Sequence, residues 1–171
     1  SRVAGPAGGG FPALLTRGDR VGVVATGFAV RPDLLEAGIA RLIELAGRYP
    51  DIVFSVAVGN EATVDWTDHL VPVDRMIEHV RLVKRGVDRP VTFCENYVPW
   101  RTKLGPLVGE LDFISLHTYP VWEYQHVSAA LEYSKHNYRS VAGLYPDMPV
   151  VITEAGWTTN SNGRGIDPAN A

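Results

Sequence analysis

Cysteine is nearly absent from this 171-residue sequence: Cys94 is its single cysteine, so no disulfide can form within the chain. The same scarcity excludes metal sites built from several cysteines, and no His-x-x-x-His or Cys-x-x-Cys spacing occurs. We therefore expect no metal ion and no other cofactor. A lone cysteine is compatible with export and with the cytosol, so it leaves the compartment open.

Long hydrophobic runs are also lacking, and no stretch approaches the ~20 apolar residues of a membrane-spanning helix. Charge is nearly balanced, with 16 lysines and arginines against 19 aspartates and glutamates and a net charge of −3. This balance offers no phosphate-attracting surface, so we expect no nucleic-acid partner. Hydrophobic residues nevertheless make up 46 % of the chain, which is ordinary for a globular domain with one core.

Five short apolar runs, rich in β-branched residues, predict the strands of the fold. Their uniform apolarity is typical of strands that are buried on both faces, as in a parallel sheet. The predicted strands are Val21–Ala25, Ile52–Val58, Val91–Cys94, Phe113–Leu116 and Val150–Thr153. Amphipathic stretches between them predict helices over 34–46, 72–83 and 127–144, with a short helix over 103–109. This alternation predicts parallel α/β architecture.

The spacing of the predicted strands distinguishes two parallel architectures. The strand starts are about 32 residues apart on average, so eight such units would need about 258 residues, close to the ~250 of a (β/α)8 barrel. A doubly wound sheet is the alternative, but no glycine-rich phosphate turn follows the first run. We therefore predict an incomplete (β/α)8 TIM-type barrel of about five βα units over residues 20–171. Residues 1–19, rich in glycine, proline and alanine, are predicted to form a flexible lead-in with one short helix around 12–16.

Polar and ionisable side chains end four of the five predicted strands. These endings are Gly59-Asn60-Glu61, Glu95-Asn96-Tyr97, His117-Thr118-Tyr119-Pro120 and Glu154-Ala155-Gly156-Trp157. Parallel barrel strands point their carboxyl ends to one face, so three carboxylates and one imidazole are expected at a common mouth. Each of these residues could instead have a structural role. A glutamate could form an ion pair with an arginine, and the histidine could be buried in the core with its hydrogen bonds satisfied. Cys94 is predicted to be a buried core residue.

All four tryptophans come within five residues of a polar strand end: Trp66, Trp100, Trp122 and Trp157. Aromatic rings beside carboxylates and amides suit a sugar, because its C–H face stacks on a ring while its hydroxyls form hydrogen bonds. A single tryptophan more often packs a loop than binds a ligand. Four of them at the same end of different strands predict a carbohydrate site.

Two of the strand-end motifs resemble a known family. Val56-Ala57-Val58-Gly59-Asn60-Glu61 and Val151-Ile152-Thr153-Glu154-Ala155-Gly156-Trp157 are similar to glycoside hydrolase family 17, the β-1,3-glucanase and glucanosyltransferase group of the retaining clan A. Pro90–Glu95 and Asp112–Glu123 are similar to its bacterial branch. The resemblance runs from about Val21 to Asn160 and spans strands three to seven of the family barrel. It therefore implies a partial domain, whose open sheet edges are expected to favour self-association.

The resemblance implies a retaining glycosidase or transglycosylase that acts on β-glucan, usually with β-1,3 linkages, by double displacement. It implies that Glu61 is the general acid/base and Glu154 the nucleophile, with their carboxyl groups about 5–5.5 Å apart. Asn60 is implied to bind the sugar 2-hydroxyl, and Tyr119 to lie near the nucleophile. The other residues expected to contact substrate or shape its subsites are Glu95, His117, Trp66, Trp100, Trp122 and Trp157.

Two alternatives for the function remain open on the sequence. One is a carbohydrate-binding remnant without catalytic activity, which the missing barrel strands favour. The other is a clan relative that acts on a different β-linked glycan. The sequence sets neither the linkage preference, nor endo or exo action, nor the choice between hydrolysis and transglycosylation. We expect a periplasmic, extracellular or membrane-associated location rather than a cytoplasmic one.

Overall fold

A five-stranded parallel sheet forms the centre of the computed structural model, with its strands in the order in which they occur in the chain. The structure describes residues 21–25, 32–66 and 70–157. The strands are β1 (Val21–Ala25), β2 (Val53–Asn60), β3 (Val91–Asn96), β4 (Ile114–Thr118) and β5 (Val150–Ala155). All five predicted strands are confirmed, and the last four extend two residues further at their carboxyl ends than the apolar runs indicated.

Helices connect the strands, as the amphipathic stretches predicted. They are α1 (Pro32–Arg48), α2 (Val73–Gly86), α3 (Tyr97–Thr102), α4 (Gly105–Val108) and α5 (Ala130–Ala142), and two short 3-10 turns cover Pro120–Glu123 and Val127–Ala129. The sequence analysis missed α3, which begins directly after β3. None of the helices in the described ranges is long and apolar enough to cross a membrane. The predicted lead-in over 1–19 and its short helix lie outside the described residues.

The strand order distinguishes a barrel segment from a doubly wound sheet, the two architectures considered from the sequence. In a doubly wound sheet the order reverses at a switch point, whereas barrel strands follow one another around the sheet. Here each strand pairs in parallel with the next one along the chain, from β1 to β5. The predicted α/β class and the incomplete TIM-type barrel are therefore confirmed.

The hydrophobic core lies between the sheet and its helices. Helices α1 and α2 turn an apolar stripe toward the strands and leave their polar faces in water, whereas α5 buries only Asn137 and Val141. Fully or almost fully buried side chains of this core include Ile39, Leu42, Val56, Val80, Val83, Phe93, Ile114 and Leu116. This packing fixes the strands relative to one another, so the polar residues at their carboxyl ends have defined positions.

β5 is the least covered of the strands whose side chains are described. Val151 is 45 % exposed and Ile152 is 40 % exposed, whereas every residue of β4 is buried. An outer strand with exposed apolar side chains and unpaired backbone groups can pair with a further strand. Self-association through such an edge stays a prediction.

Candidate active site

A cavity of about 780 Å³ opens at the carboxyl ends of the strands. Its lining side chains lie at or just after the ends of β2, β3, β4 and β5, which is where a barrel collects its functional groups. They are Glu61, Trp66, Asn96, Tyr119, Trp122, Glu123 and Glu154. Five of the seven are residues that the sequence analysis selected; Asn96 and Glu123 are not.

Glu61 leaves β2 through a left-handed turn. Gly59 has a φ of +90° and Glu61 a φ of +48°. Residues other than glycine seldom adopt a positive φ. A Cβ at position 59 would lie 3.2 Å from Phe93 Cε2, so glycine also allows the strand to approach the core closely. The backbone N–H of Glu61 donates to the carbonyl oxygen of Cys94 at 2.9 Å, which ties the turn to β3. This turn places the Glu61 carboxylate in the cavity wall.

Glu95 does not line the cavity, because its side chain is completely buried beneath the turn that follows Glu61. Its Oε2 accepts hydrogen bonds from Thr63 N at 2.8 Å and Thr63 Oγ1 at 2.7 Å, and its Oε1 accepts from Asn96 N at 2.7 Å. Burial raises the pKa of this carboxyl, and the three donors only partly oppose that shift. Glu95 therefore supports the segment that carries Glu61, and its placement does not fit the predicted contact with substrate.

His117 lies between the two predicted catalytic carboxylates. Its ring is buried, with Nδ1 3.0 Å from Glu61 Oε1 and Nε2 3.5 Å from Glu154 Oε2. Burial opposes protonation of the ring, but interactions with Cys94, Glu61 and the charge of Glu154 outweigh it and raise the pKa of His117 to about 9. The ring is not part of the cavity lining, so the structure places it against the carboxylates rather than against a sugar.

Glu154, near the end of β5, accepts a short hydrogen bond from the Tyr119 hydroxyl, at 2.6 Å from Oη to Oε1. Burial, this hydrogen bond and the nearby negative charge of Glu154 raise the pKa of Tyr119, so the hydroxyl keeps its proton and remains a donor. The predicted proximity of Tyr119 to Glu154 is therefore observed. A neutral donor at this position stabilises the ionised carboxylate.

Glu61 and Glu154 lie close together at the cavity. One carboxylate oxygen of each, together with a ring nitrogen of His117, falls within a group whose members are all within 4.8 Å of one another. Three such groups could in principle surround a cation, but both imidazole nitrogens already face carboxylate oxygens. We therefore interpret the cluster as a chain of polar contacts, with a hydrogen bond between Glu61 and His117 Nδ1 and an ion-pair contact between His117 Nε2 and Glu154.

The four tryptophans separate into two kinds of position. Trp66 and Trp122 line the cavity and are 62 % and 50 % exposed, as expected for rings available to a ligand. Trp100 is fully buried in α3, where its indole N–H donates to Ser115 O at 3.1 Å and its ring packs edge-on against Phe93. The predicted role of Trp100 in substrate binding does not fit this position, because the ring belongs to the core. Trp157 is half-buried beyond β5 and is not among the cavity-lining side chains.

Asn60 is the last residue of β2 and is half-buried, outside the set of cavity-lining side chains. The two lining residues that sequence reasoning missed both lay inside quoted motifs. Asn96 ends β3 beside Glu95 and caps α3, accepting a hydrogen bond from Val98 N at 2.9 Å. Glu123 follows Trp122 directly, and its Oε2 accepts a hydrogen bond from the Tyr133 hydroxyl at 3.3 Å. The available signals were the position of Asn96 at the end of β3 and the position of Glu123 next to Trp122 in the turn that follows β4.

Neither a scan against protein-family models nor a search of curated proteins finds a match to this chain. Solved structures do match it in fold. An endo-laminarinase from Formosa Hel1_33_131 has a TM-score of 0.68 and 26 % sequence identity, over 75 % of this chain and 44 % of that protein. An active-site mutant of a Rhizomucor miehei β-1,3-glucanosyltransferase, in complex with laminaritriose, has a TM-score of 0.69 and 23 % identity, over 85 % and 54 %.

A third similar structure is a glycoside hydrolase family 17 β-1,3-glucanosyltransferase, also from Rhizomucor miehei. It has a TM-score of 0.67 and 22 % identity, over 88 % of this chain and 55 % of that protein. The chain thus spans about half the length of these three proteins. The comparisons establish that the fold of this chain is similar to part of a β-glucan-active TIM-type barrel.

Proposed function

We propose that this chain carries the active site of a retaining glycosidase or transglycosylase that acts on β-1,3-glucan. One observation carries the proposal: carboxylate oxygens of Glu61 and Glu154 lie within 4.8 Å of each other at the cavity. Retaining enzymes hold their two carboxyl groups about 5–5.5 Å apart, whereas inverting enzymes leave room for a water molecule between them. The short separation of the two oxygens supports the retaining arrangement.

The hydrogen bonds around the two carboxylates support different roles for them. Glu154 accepts from the Tyr119 hydroxyl, a contact that favours an ionised group able to attack the anomeric carbon. Glu61 contacts the other nitrogen of the His117 ring and lines the cavity, a position from which it can exchange protons with substrate and water. We therefore assign Glu154 as the nucleophile and Glu61 as the general acid/base.

In the first step, Glu154 forms a bond to the anomeric carbon while the glycosidic C–O bond breaks. The proton of Glu61 passes to the leaving oxygen, so Glu61 becomes ionised and Glu154 becomes a neutral ester. In the second step, Glu61 takes a proton from water or from a sugar hydroxyl. The resulting oxygen attacks the anomeric carbon and releases Glu154 as a carboxylate, which gives hydrolysis with water and transglycosylation with a sugar.

The substrate assignment has two supports. Trp66 and Trp122 offer exposed rings at the cavity on which sugar faces can stack. The similar structures are named as an endo-laminarinase and as β-1,3-glucanosyltransferases, one of them in complex with laminaritriose. We accordingly propose membership of glycoside hydrolase family 17, in its bacterial branch, and a location outside the cytoplasm, where polymeric glucans are accessible.

A carbohydrate-binding role without turnover is a second candidate. The exposed rings of Trp66 and Trp122 at the cavity favour it, because stacking on a sugar needs no covalent chemistry. Such a protein would bind a glucan through Trp66 and Trp122 without forming a covalent intermediate.

Covalent trapping separates the two candidates. A 2-fluoro-β-laminaribiosyl fluoride slows the second step, so a retaining enzyme accumulates as its glycosyl ester, which intact-mass and peptide mass spectrometry detect. We expect one 2-fluorolaminaribiosyl group, a disaccharide, on Glu154 and none in the Glu154→Gln variant. Binding of laminarioligosaccharides without any labelling would favour the carbohydrate-binding role, and labelling of Glu61 would reverse the assigned roles.

A further inference from the structure

His117 has no role in the two-glutamate mechanism proposed above, although it contacts both glutamates. Its ring is 1 % exposed, and its two nitrogens face one oxygen of Glu61 and one oxygen of Glu154. His117 belongs to β4, whose five residues are all buried and which pairs with a strand on each side. The ring is therefore enclosed on an inner strand of the sheet, and its burial restricts its rotation.

The chemistry of the imidazole ring limits the charge states that fit this geometry. A neutral imidazole carries one N–H and one acceptor nitrogen, so it donates to one carboxylate only. An ionised carboxylate accepts but does not donate. A neutral ring would fit only by accepting at one nitrogen from a protonated carboxyl group, whereas a ring with an N–H toward each carboxyl group is an imidazolium, with one positive charge between two acidic groups.

The groups that surround the ring on all sides are consistent with a cation. Glu61 follows β2, Cys94 lies on β3, Tyr119 follows β4 and Glu154 lies on β5. The two carboxylates are the charged groups among them, while Tyr119 is a neutral donor to Glu154 and Cys94 hydrogen-bonds Ser115 Oγ at 3.2 Å. No lysine or arginine side chain is within 4.0 Å of either carboxylate in the described residues, so His117 is their local source of positive charge.

We propose that His117 is a positioning residue whose imidazolium bridges Glu61 and Glu154, holds them at their working separation, and balances whichever of the two is ionised. This proposal deepens the proposed function and rests on it. Nδ1–H donates to Glu61 Oε1, which leaves the other oxygen of Glu61 to carry the proton that the leaving group receives. Nε2–H faces Glu154 Oε2, while the Tyr119 hydroxyl occupies Oε1.

The charge of the bridge stays constant through the first chemical step. Before the step Glu61 is neutral, His117 is positive and Glu154 is negative, so the three groups carry no net charge. After the step the proton of Glu61 is on the leaving group and Glu154 is a neutral ester, so Glu61 is negative and the net charge is again zero. The same cation thus faces a negative partner on one side and then on the other, without moving its own protons.

The protonation state of the ring can be measured directly in the intact chain. ¹H–¹⁵N correlation spectra of the side chain distinguish imidazolium from both neutral tautomers, and the His117→Asn variant identifies which signals belong to this ring. We expect imidazolium at pH 7 and a titration midpoint near 9. The midpoint should fall in Glu61→Gln and again in Glu154→Gln, because each removes one negative partner. A neutral tautomer at pH 7, or a midpoint that neither substitution moves, would overturn the proposal.

The pH dependence of laminarioligosaccharide turnover is a second measurement. It should not change if His117 has only a structural role. The cation is part of the charge balance of the reacting pair, so in His117→Asn both limbs of the kcat/KM profile should move relative to those of the wild type. We expect kcat to fall at least tenfold with little change in KM. The matched variant His136→Asn, at an exposed position of α5, should leave the profile unchanged.

The outcomes distinguish this proposal from the proposed function. His117→Asn could lower kcat/KM at every pH while the pH values of both limbs stay the same. That result would contradict the charge-balancing role, even where Glu154 is trapped covalently. Failure of covalent trapping in the wild-type chain would remove the enzymatic function on which the role depends. In that case a bridging imidazolium would be retained only as a structural contact, and the proposal of a positioning residue would be wrong.

Discussion

The buried carboxylate of Glu95 provides a quantitative test of how the turn around Glu61 is held. Its two oxygens accept hydrogen bonds from two backbone N–H groups, those of Thr63 and Asn96, and from the Thr63 hydroxyl. Glu95→Gln keeps the size of the side chain but replaces one acceptor oxygen by an NH2 group. Whichever way the amide turns, one backbone N–H then faces a donor instead of an acceptor.

The cost of Glu95→Gln follows from this single unsatisfied donor. Leaving a buried N–H without an acceptor costs about 1–3 kcal/mol, while the Thr63 hydroxyl can rotate and accept from an amide. For a chain of this size each kcal/mol lowers the melting temperature by about 2–4 °C, so we expect a decrease of about 2–12 °C. The backbone amide of Thr63 or Asn96 should also exchange with solvent faster.

Circular dichroism melting and amide hydrogen exchange measure these effects together. Glu132→Gln is the matched control, since Glu132 is exposed on α5 and forms a surface ion pair with Lys135, and the melting temperature of this variant should stay close to that of the wild type. An unchanged melting temperature in Glu95→Gln, with unchanged exchange at positions 63 and 96, would refute the idea that Glu95 holds the Glu61 segment.

Three further predictions concern residues in and around the candidate active site. Tyr119→Phe removes the donor to Glu154, a hydrogen bond to a charged group, so kcat on laminarioligosaccharides should fall about 10- to 100-fold with a small change in melting temperature. By isothermal titration, Trp66→Ala should weaken oligosaccharide binding about 3- to 10-fold, whereas Trp100→Phe should lower the melting temperature without a comparable loss of affinity. The raised pKa of His117, about 9, stabilises the folded chain fully below about pH 6.5, and this contribution is lost as the pH rises through 9. The melting temperature should therefore fall more steeply between pH 7 and 10 in the wild type than in His117→Asn.

The sequence predicted the strands and their polar ends because both depend on local pattern. Apolar β-branched runs identify strands that are buried on both faces, and parallel pairing then brings Glu61 and Glu154 to one edge without further information. The spacing of the runs favoured a barrel segment over a doubly wound sheet, and the consecutive strand order agrees with it.

The misplaced residues depend on packing that a linear pattern does not encode. Trp100 follows Glu95 at the same interval as Trp66 follows Glu61, but α3 begins directly after β3 and turns the Trp100 ring into the core. The apolar run that ends at Glu95 predicts a cavity position for this residue, yet β3 continues to Asn96, and Asn96 is the residue that lines the cavity. The bridge through His117 needs three strand ends at fixed distances, which only the folded sheet provides.

The anomeric configuration of a rescued product tests the two-glutamate account most directly. In Glu61→Ala, an activated aryl β-laminaribioside needs no proton for its leaving group, so Glu154 can still form the glycosyl ester, and added azide can then attack it. We predict a β-glycosyl azide by ¹H NMR, from two inversions at the anomeric carbon, and no such β product in Glu154→Ala. An α-glycosyl azide from Glu61→Ala, or the same rescued anomer in equal yield from both variants, would contradict the assignment of Glu154 as nucleophile and Glu61 as acid/base.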